Sequence, residues 1–400
     1  MKKTNRCVVA LIAFALIASS APARAEDDDG GRDHEAGPSV ELTWMSIANW
    51  YFKFGDLRIM MDGYFTRVPG PPFFFGGGGG FKNTTGPFSV DVPMVLKVRD
   101  ALDAGGSLDY VLAGHSHFDH SFDTATWSAL TNAPIIGGLS TCLQAQAEGL
   151  PSSQCINVKG GERLWLSDDV TMRVVRWNHS GSHAANPEQH DPVELKFAPI
   201  PDPVTGGLRA GVAEDFPNGG GGRMYLFTVG RGEHRLSFFV NNSASAVDLT
   251  QDIVVDGVNY GAPLDNLRQA MADAGLTSVD LWIGTGSLAV AQLVVPVLHP
   301  RNYIPNHWDG LFNAFLPGLP FPYQDVNGLK AYLDAQGIPL LPQTQYFDKY
   351  RLDRDGVTKV PNTAQKKKLG FSDVQPFSAA SVLRSASISR PGDTTDECSQ

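Results

Sequence analysis

Three histidines and an aspartate fall within six residues at His115-Ser116-His117-Phe118-Asp119-His120. They follow Leu108-Asp109-Tyr110-Val111-Leu112-Ala113, a short apolar run that reads as a buried strand. Strand side chains alternate between faces, so His115 and His117 point the same way as the strand ends. Both can reach one metal ion. Asp119 and His120 lie in the turn beyond, where the backbone redirects them towards a second ion nearby. Neutral imidazole and carboxylate are ligands that suit zinc, iron or manganese. A polar, His-rich surface loop is the plainer alternative. Against it stands the scarcity of histidine, ten in 400 residues, of which three gather here behind one apolar strand.

The motif resembles that of the metallo-β-lactamase-fold hydrolases. The resemblance implies an α+β fold, an αββα sandwich of two mixed sheets flanked by helices with the metal site at one edge. It also implies where the remaining ligands stand. His179 ends the apolar run Val170 to Trp177 and is followed by Ser180-Gly181-Ser182. It is similar to the isolated third histidine of the family, in particular of the lactonase-like and N-acyl-phosphatidylethanolamine phospholipase D-like branch. It would complete a site with His115 and His117. His307, in Asn306-His307-Trp308 after a short strand, resembles the family's last ligand and would join Asp119 and His120. Met60-Met61-Asp62-Gly63 ends another strand, and Asp62 is a candidate partner for a metal-bound histidine. A turn-forming aspartate before glycine is the alternative there.

One position departs from the pattern. Where the family has an aspartate bridging both metals, the aligned residue is Asn242, in Asn241-Asn242-Ser243-Ala244. A neutral amide offers one oxygen, bridges poorly and adds no charge. Asn242 is the expected ligand, with the second ion held weakly or another carboxylate substituting; Asp248 is near in sequence but has no motif support. From His120 to His179, to Asn242 and to His307 the steps are each about sixty residues, room for two or three elements between ligand loops. The resemblance covers roughly residues 41 to 310.

Two divalent ions, expected to be zinc, would bind a water between them and lower its pKa from about 15.7 towards 7, giving a hydroxide nucleophile. Asp119 and His120 are the candidate catalytic residues, with Asp119 both a ligand and a guide for the hydroxide. No G-x-S-x-G elbow is present. The resemblance thus implies a hydrolase of an ester, lactone or phosphodiester. Two rivals stand beside it. One is a degenerate, non-catalytic metal- or ligand-binding protein, suggested by Asn242. The other is a redox di-iron use of the fold, which usually carries H-x-E-x-D-H and a flavin domain; Ser116 precedes His117 and no flavin module is visible.

Residues 1–25 read as a secretory leader: Lys2, Lys3 and Arg6, an apolar core from Val8 to Ile17, then Ala23-Arg24-Ala25. The expectation is export to the periplasm or medium. Loss of the leader's four basic residues takes the net charge from −10 to −14. That excludes a basic footprint for nucleic acid. The expected partners are a small-molecule or lipid-like substrate and no membrane span. Cys142 and Cys155 enclose a short loop and could pair in an oxidising compartment, or stay as buried thiols.

Residues 26–38 are acidic and read as flexible, residues 39–354 as the hydrolase domain, and residues 355–400 as a largely flexible extension. Residues 66–88, Phe-rich and interrupted by Gly76 to Gly80, read either as an apolar flap over a hydrophobic substrate or as an insertion packed on the body. His183 and His190 fall in a polar loop, where either could touch substrate; His234 and His299 read as structural.

Overall fold

The computed structural model describes residues 37–75, 81–102, 107–179, 187–315, 323, 325 and 328–371. The leader, His183 and Gly76 to Gly80 lie outside these residues.

Two mixed sheets face each other. The first has eight strands, in the spatial order Gly356–Val360, Asp348–Asp353, Val40–Ser46, Asn49–Phe54, Leu57–Met61, Tyr110–Leu112, Ile135–Gly137 and Cys155–Asn157. Its first five strands pair antiparallel, and the last four run parallel to one another. The second has six, in the order Tyr303–Pro305, Leu281–Gly284, Leu236–Val240, Gly222–Val229, Val170–Trp177 and Arg163–Trp165.

The inner faces are apolar because alternate residues of each strand point there. Phe52 and Phe54 of the first sheet meet Phe227 and Phe238 of the second, with ring centroids 5.5–6.1 Å apart. Truncating such a ring to alanine costs about 3–5 kcal/mol, so this aromatic layer fixes the spacing of the sheets. Helices Val92–Ala101, Thr124–Thr131 and Leu139–Ala147 cover the outside of the first sheet. Pro263–Ala274 and Leu288–Leu298 cover the second. The αββα layering expected from the motif is the layering observed.

Strand direction places the site. Leu57–Met61 and Tyr110–Leu112 are parallel neighbours. Leu236–Val240, Leu281–Gly284 and Tyr303–Pro305 are likewise parallel, and two antiparallel pairings bring Val170–Trp177 to the same direction. All these strands release their carboxyl ends at one edge, where open α/β sheets bind ligands. Cross-sheet hydrogen bonds close that edge: Tyr225 Oη donates to Ala113 O at 2.8 Å, and Arg223 N to Gly114 O at 2.6 Å.

One boundary differs from the sequence expectations. The domain does not stop at residue 354. Gly356–Val360 pairs with Asp348–Asp353, and helix Thr363–Leu369 follows, burying Leu369 and Phe371 in the core. Polar and basic composition hid this, because an edge strand and a covering helix need only one apolar face. Phe73, Phe74 and Phe81 pack on the body around Phe118 and Phe312 rather than standing as a free flap. Phe75 is half exposed. Cys142 and Cys155 are disulfide-bonded, tying helix Leu139–Ala147 to strand Cys155–Asn157.

Candidate metal centre

The chain after Tyr110–Leu112 bends at Gly114 and Ser116, reaches His117 in an extended conformation (ψ 155°), then winds into the one-turn helix Phe118–Ser121. That change of backbone splits the motif. His115 and His117 precede the helical turn, while Asp119 and His120 ride it. Gln144 and Ser121 hold the loop from behind: Gln144 Nε2 donates to Ser116 O at 2.9 Å, and Ser121 Oγ to the same oxygen at 3.0 Å.

Two trios of ligand atoms result, all six residues buried. In the first, His115 Nε2 lies 3.2 Å from His117 Nδ1, and His117 Nδ1 lies 3.0 Å from His179 Nε2. In the second, Asp119 Oδ2 lies 3.0 Å from both His120 Nε2 and His307 Nε2, which are 3.2 Å from each other. Within each trio the atoms fall within 4.8 Å of one another. His307 reaches its place from a left-handed residue (φ 58°), its N–H donating to Ile47 O at 3.0 Å. Such a conformation in a non-glycine residue costs of order 1–3 kcal/mol and is found at functional sites.

The residues fit divalent ions. Burial, then the neighbouring imidazoles, push the pKa of His115, His117 and His179 well below the usual histidine value. The rings are therefore neutral, and three nitrogens converge on one point that a cation can satisfy. Burial alone would raise Asp119, but His120 and His307 outweigh it and hold the carboxyl well below its usual range. His120 is pushed up to about 10: burial opposes this, and the carboxylates of Asp119 and Asp62 overcome it. Once the His120 proton is displaced, the second trio offers an anionic oxygen beside imidazole nitrogens and suits a hard or borderline cation.

Asp62 supports this arrangement from outside the trios. It ends strand Leu57–Met61 in a left-handed conformation, accepting from Gly114 N at 2.8 Å and from His120 Nδ1 at 2.7 Å. The second contact fixes the proton on Nδ1 and leaves Nε2 for a metal.

No protein-family model matches the chain. A UPF0173 metal-dependent hydrolase from Pyrobaculum islandicum is 23% identical over 146 residues, 36% of this chain and 53% of the relative. The chain therefore spans about half the length of that curated relative. Two mixed sheets, helices on both outer faces and two His/Asp trios at their shared carboxyl edge decide the architecture. This is the metallo-β-lactamase fold. Among solved structures, a metallo hydrolase from the archaeon Ignicoccus hospitalis aligns with a TM-score of 0.44 at 12% identity, over 79% of this chain and 99% of its own. The metallo-β-lactamase fold protein YhfI from Bacillus subtilis aligns with a TM-score of 0.39 at 12% identity, over 78% and 99%.

Within this metallo-β-lactamase fold, Asn242 does not sit as a ligand. Its Oδ1 lies 3.3 Å from His115 Nδ1, and its Nδ2 lies 3.0 Å from His120 Nδ1. Both contacts are on the ring side opposite the ligating Nε2 atoms. The reason is chemical: an amide carries N–H donors, and Nδ2 donates to Asp62 Oδ2 at 2.9 Å. Gly114 leaves the room, since a Cβ there would come within 1.9 Å of Nδ2. The metal-ligand expectation for Asn242 is corrected accordingly; it braces Asp62 and His115 from behind.

The remaining histidines separate. His190 stands beside the first trio, its ring 5.6 Å from that of His179. His234 ends a short 3-10 turn, and His299 caps helix Leu288–Leu298, both apart from the trios. Asp248, set aside in the sequence for want of a motif, lies 3.5 Å from His190 Nδ1. Nothing in the local sequence marks Asp248 as a neighbour of His190, because separate loops bring them together.

Proposed function

We propose that this chain is an exported metal-dependent hydrolase acting on an ester, lactone or phosphodiester. The observation that carries the reading is the pair of buried trios, three ligand atoms each, side by side on one strand-end edge. His115, His117 and His179 would hold one ion, and Asp119, His120 and His307 the other; zinc suits this mixture of imidazole and carboxylate. Bound ions supply Lewis-acid polarisation of a carbonyl or phosphoryl oxygen and bring the pKa of water down to about 7. The chain's own part is orientation. Asp62 and Asn242 lock the His115 and His120 rings, and Asp119, ionised and facing His307, is placed to accept a hydrogen bond from an attacking water. Burial of all six ligands excludes competing solvent.

The lactonase-like and phospholipase-D-like branch is part of the same proposal and rests on the strand-end contexts of His179 and His307. Export rests on residues 1–25; no helix among the described residues is long and apolar enough to cross a membrane.

The test is a panel of three chromogenic substrates, an aryl ester, a lactone and bis(4-nitrophenyl) phosphate, on protein loaded with zinc or manganese. Turnover of any one, lost in His115→Ala and in His307→Ala, is expected. One observation favours a second reading, a ligand-binding protein: Asn242 supplies no bridging carboxylate. Both ions in place with no turnover on the panel would select it.

A further inference from the structure

His120 and His115 are held through their rings, by Asp62 and by Asn242. His307 is held differently. Among the described residues its imidazole hydrogen-bonds only through Nε2, on the side of Asp119 and His120. The direction of the ring is therefore set by the backbone that carries it.

That backbone is pinned to one turn. Strands Val40–Ser46 and Asn49–Phe54 are joined by Ile47 and Ala48. The His307 N–H donates to Ile47 O at 3.0 Å, and the Ile47 N–H donates to Asp309 Oδ1 at 2.7 Å. Both backbone groups of Ile47 thus bond to residues 307–309. The Trp44 indole N–H donates to the same Ile47 oxygen at 3.0 Å. Ile47 and Asp309 are fully buried, so solvent does not compete for the bond between them.

Both ends of this clamp have an unfavourable backbone. Ile47 has a φ of 44° and His307 a φ of 58°. Left-handed backbone is uncommon outside glycine, and most so in a β-branched residue; it persists where the surroundings hold it. The Ile47 amide also needs an acceptor, because a buried N–H without one is destabilising. Asp309 supplies that acceptor from two residues beyond the ligand.

We propose that Asp309 is a positioning residue for His307. Its carboxylate holds the Ile47 peptide, and that peptide holds His307 in the left-handed conformation that aims Nε2 at Asp119 and His120. Asp309 acts here as a hydrogen-bond acceptor rather than as a charge, so an asparagine that keeps the oxygen in place serves as well. The inference rests on the reading that the second trio binds an ion.

Zinc affinity of the full chain, measured by chelator competition in two single-site backgrounds, tests this. In His179→Ala the second trio alone is complete; in His307→Ala, the first. Adding Asp309→Ala to His179→Ala should weaken zinc binding roughly tenfold or more, as loss of a support behind a ligand does. Asp309→Asn in that background should stay within about threefold of the parent, since its carbonyl oxygen accepts the same bond. In His307→Ala there is no ring to aim, and Asp309→Ala should leave zinc affinity within about twofold, as independent sites do. Asp309→Ser, too short to reach the Ile47 amide, gives the same comparisons should Asp309→Ala fail to fold. Undiminished affinity of the second trio in these variants would overturn the proposal. Equal loss at both trios would make Asp309 a general support of the fold and overturn it too. An asparagine variant as weak as the alanine one would overturn the acceptor role. If His179→Ala itself holds no zinc, the metal reading of the second trio fails and takes this inference with it. If it holds zinc and Asp309→Ala holds it as tightly, this inference alone fails.

Discussion

Asp62 Oδ2 lies 2.7 Å from His120 Nδ1, on the side of the imidazole facing away from the second trio. One carboxylate thereby sets the tautomer of a ligand and, through Gly114 N, the start of the metal loop. Asp62→Ala should weaken binding at the second trio by roughly 10–100-fold, the usual effect of removing such a support. Competition with a chromogenic chelator measures it. Unchanged affinity for both ions would show that Asp62 only forms a turn.

Asn242 is the counterpart on the same side. An aspartate there keeps the shape but loses the N–H that Asp62 accepts, and sets two buried carboxylates together. Metal-free Asn242→Asp should lose about 1–3 kcal/mol of stability at pH 8, from the lost hydrogen bond and repulsion. Urea unfolding in the presence of a chelator checks this. Zinc should recover more stability in the variant than in the parent. Equal stability of the two metal-free proteins would mean that the amide does not donate to Asp62.

Protons and metal ions compete unequally at the two trios. His120 holds a proton in the metal-free protein up to about pH 10, whereas the first trio is neutral. An ion entering the second trio must expel that proton, so its apparent affinity should rise about tenfold per pH unit between pH 7 and 9. The first trio should fill with little pH dependence over this range. Chelator competition at three pH values, corrected for the chelator's own protonation, gives both slopes. Parallel slopes would contradict the assignment.

Much of this centre was legible in the sequence. Six ligand positions follow from one compact motif and two histidines at strand ends, because strand periodicity and the resemblance act on the same residues. The Asn242 contacts were not legible. They depend on which side of two rings the amide lies, and that is set by Asp62, 180 residues away in sequence. The C-terminal strand and helix were missed because their apolar residues are few and alternate with lysines.

That C-terminal piece carries its own test. Asp348 is 1% exposed and pairs with Lys359 at 2.5 Å and Lys366 at 2.9 Å. Burial would raise its pKa, but the two lysines outweigh it and hold it below the usual value. Its contribution to stability is therefore present above the unfolded pKa of about 3.9 and is lost as pH falls through the folded value. Removing both partners by ending the chain at residue 354 should cost about 3–5 kcal/mol or prevent folding. Thermal melting of chains ending at 354 and at 371 measures the difference. Equal melting temperatures would make residues 355–371 an appendage.

The central claim is that the two trios each hold one ion. Metal content per chain of the purified, zinc-reconstituted protein, read by elemental mass spectrometry, tests it most directly. About two ions per chain are expected, falling to about one in His179→Ala and in His307→Ala. No bound ion after reconstitution, or an unchanged content in both variants, would contradict the account.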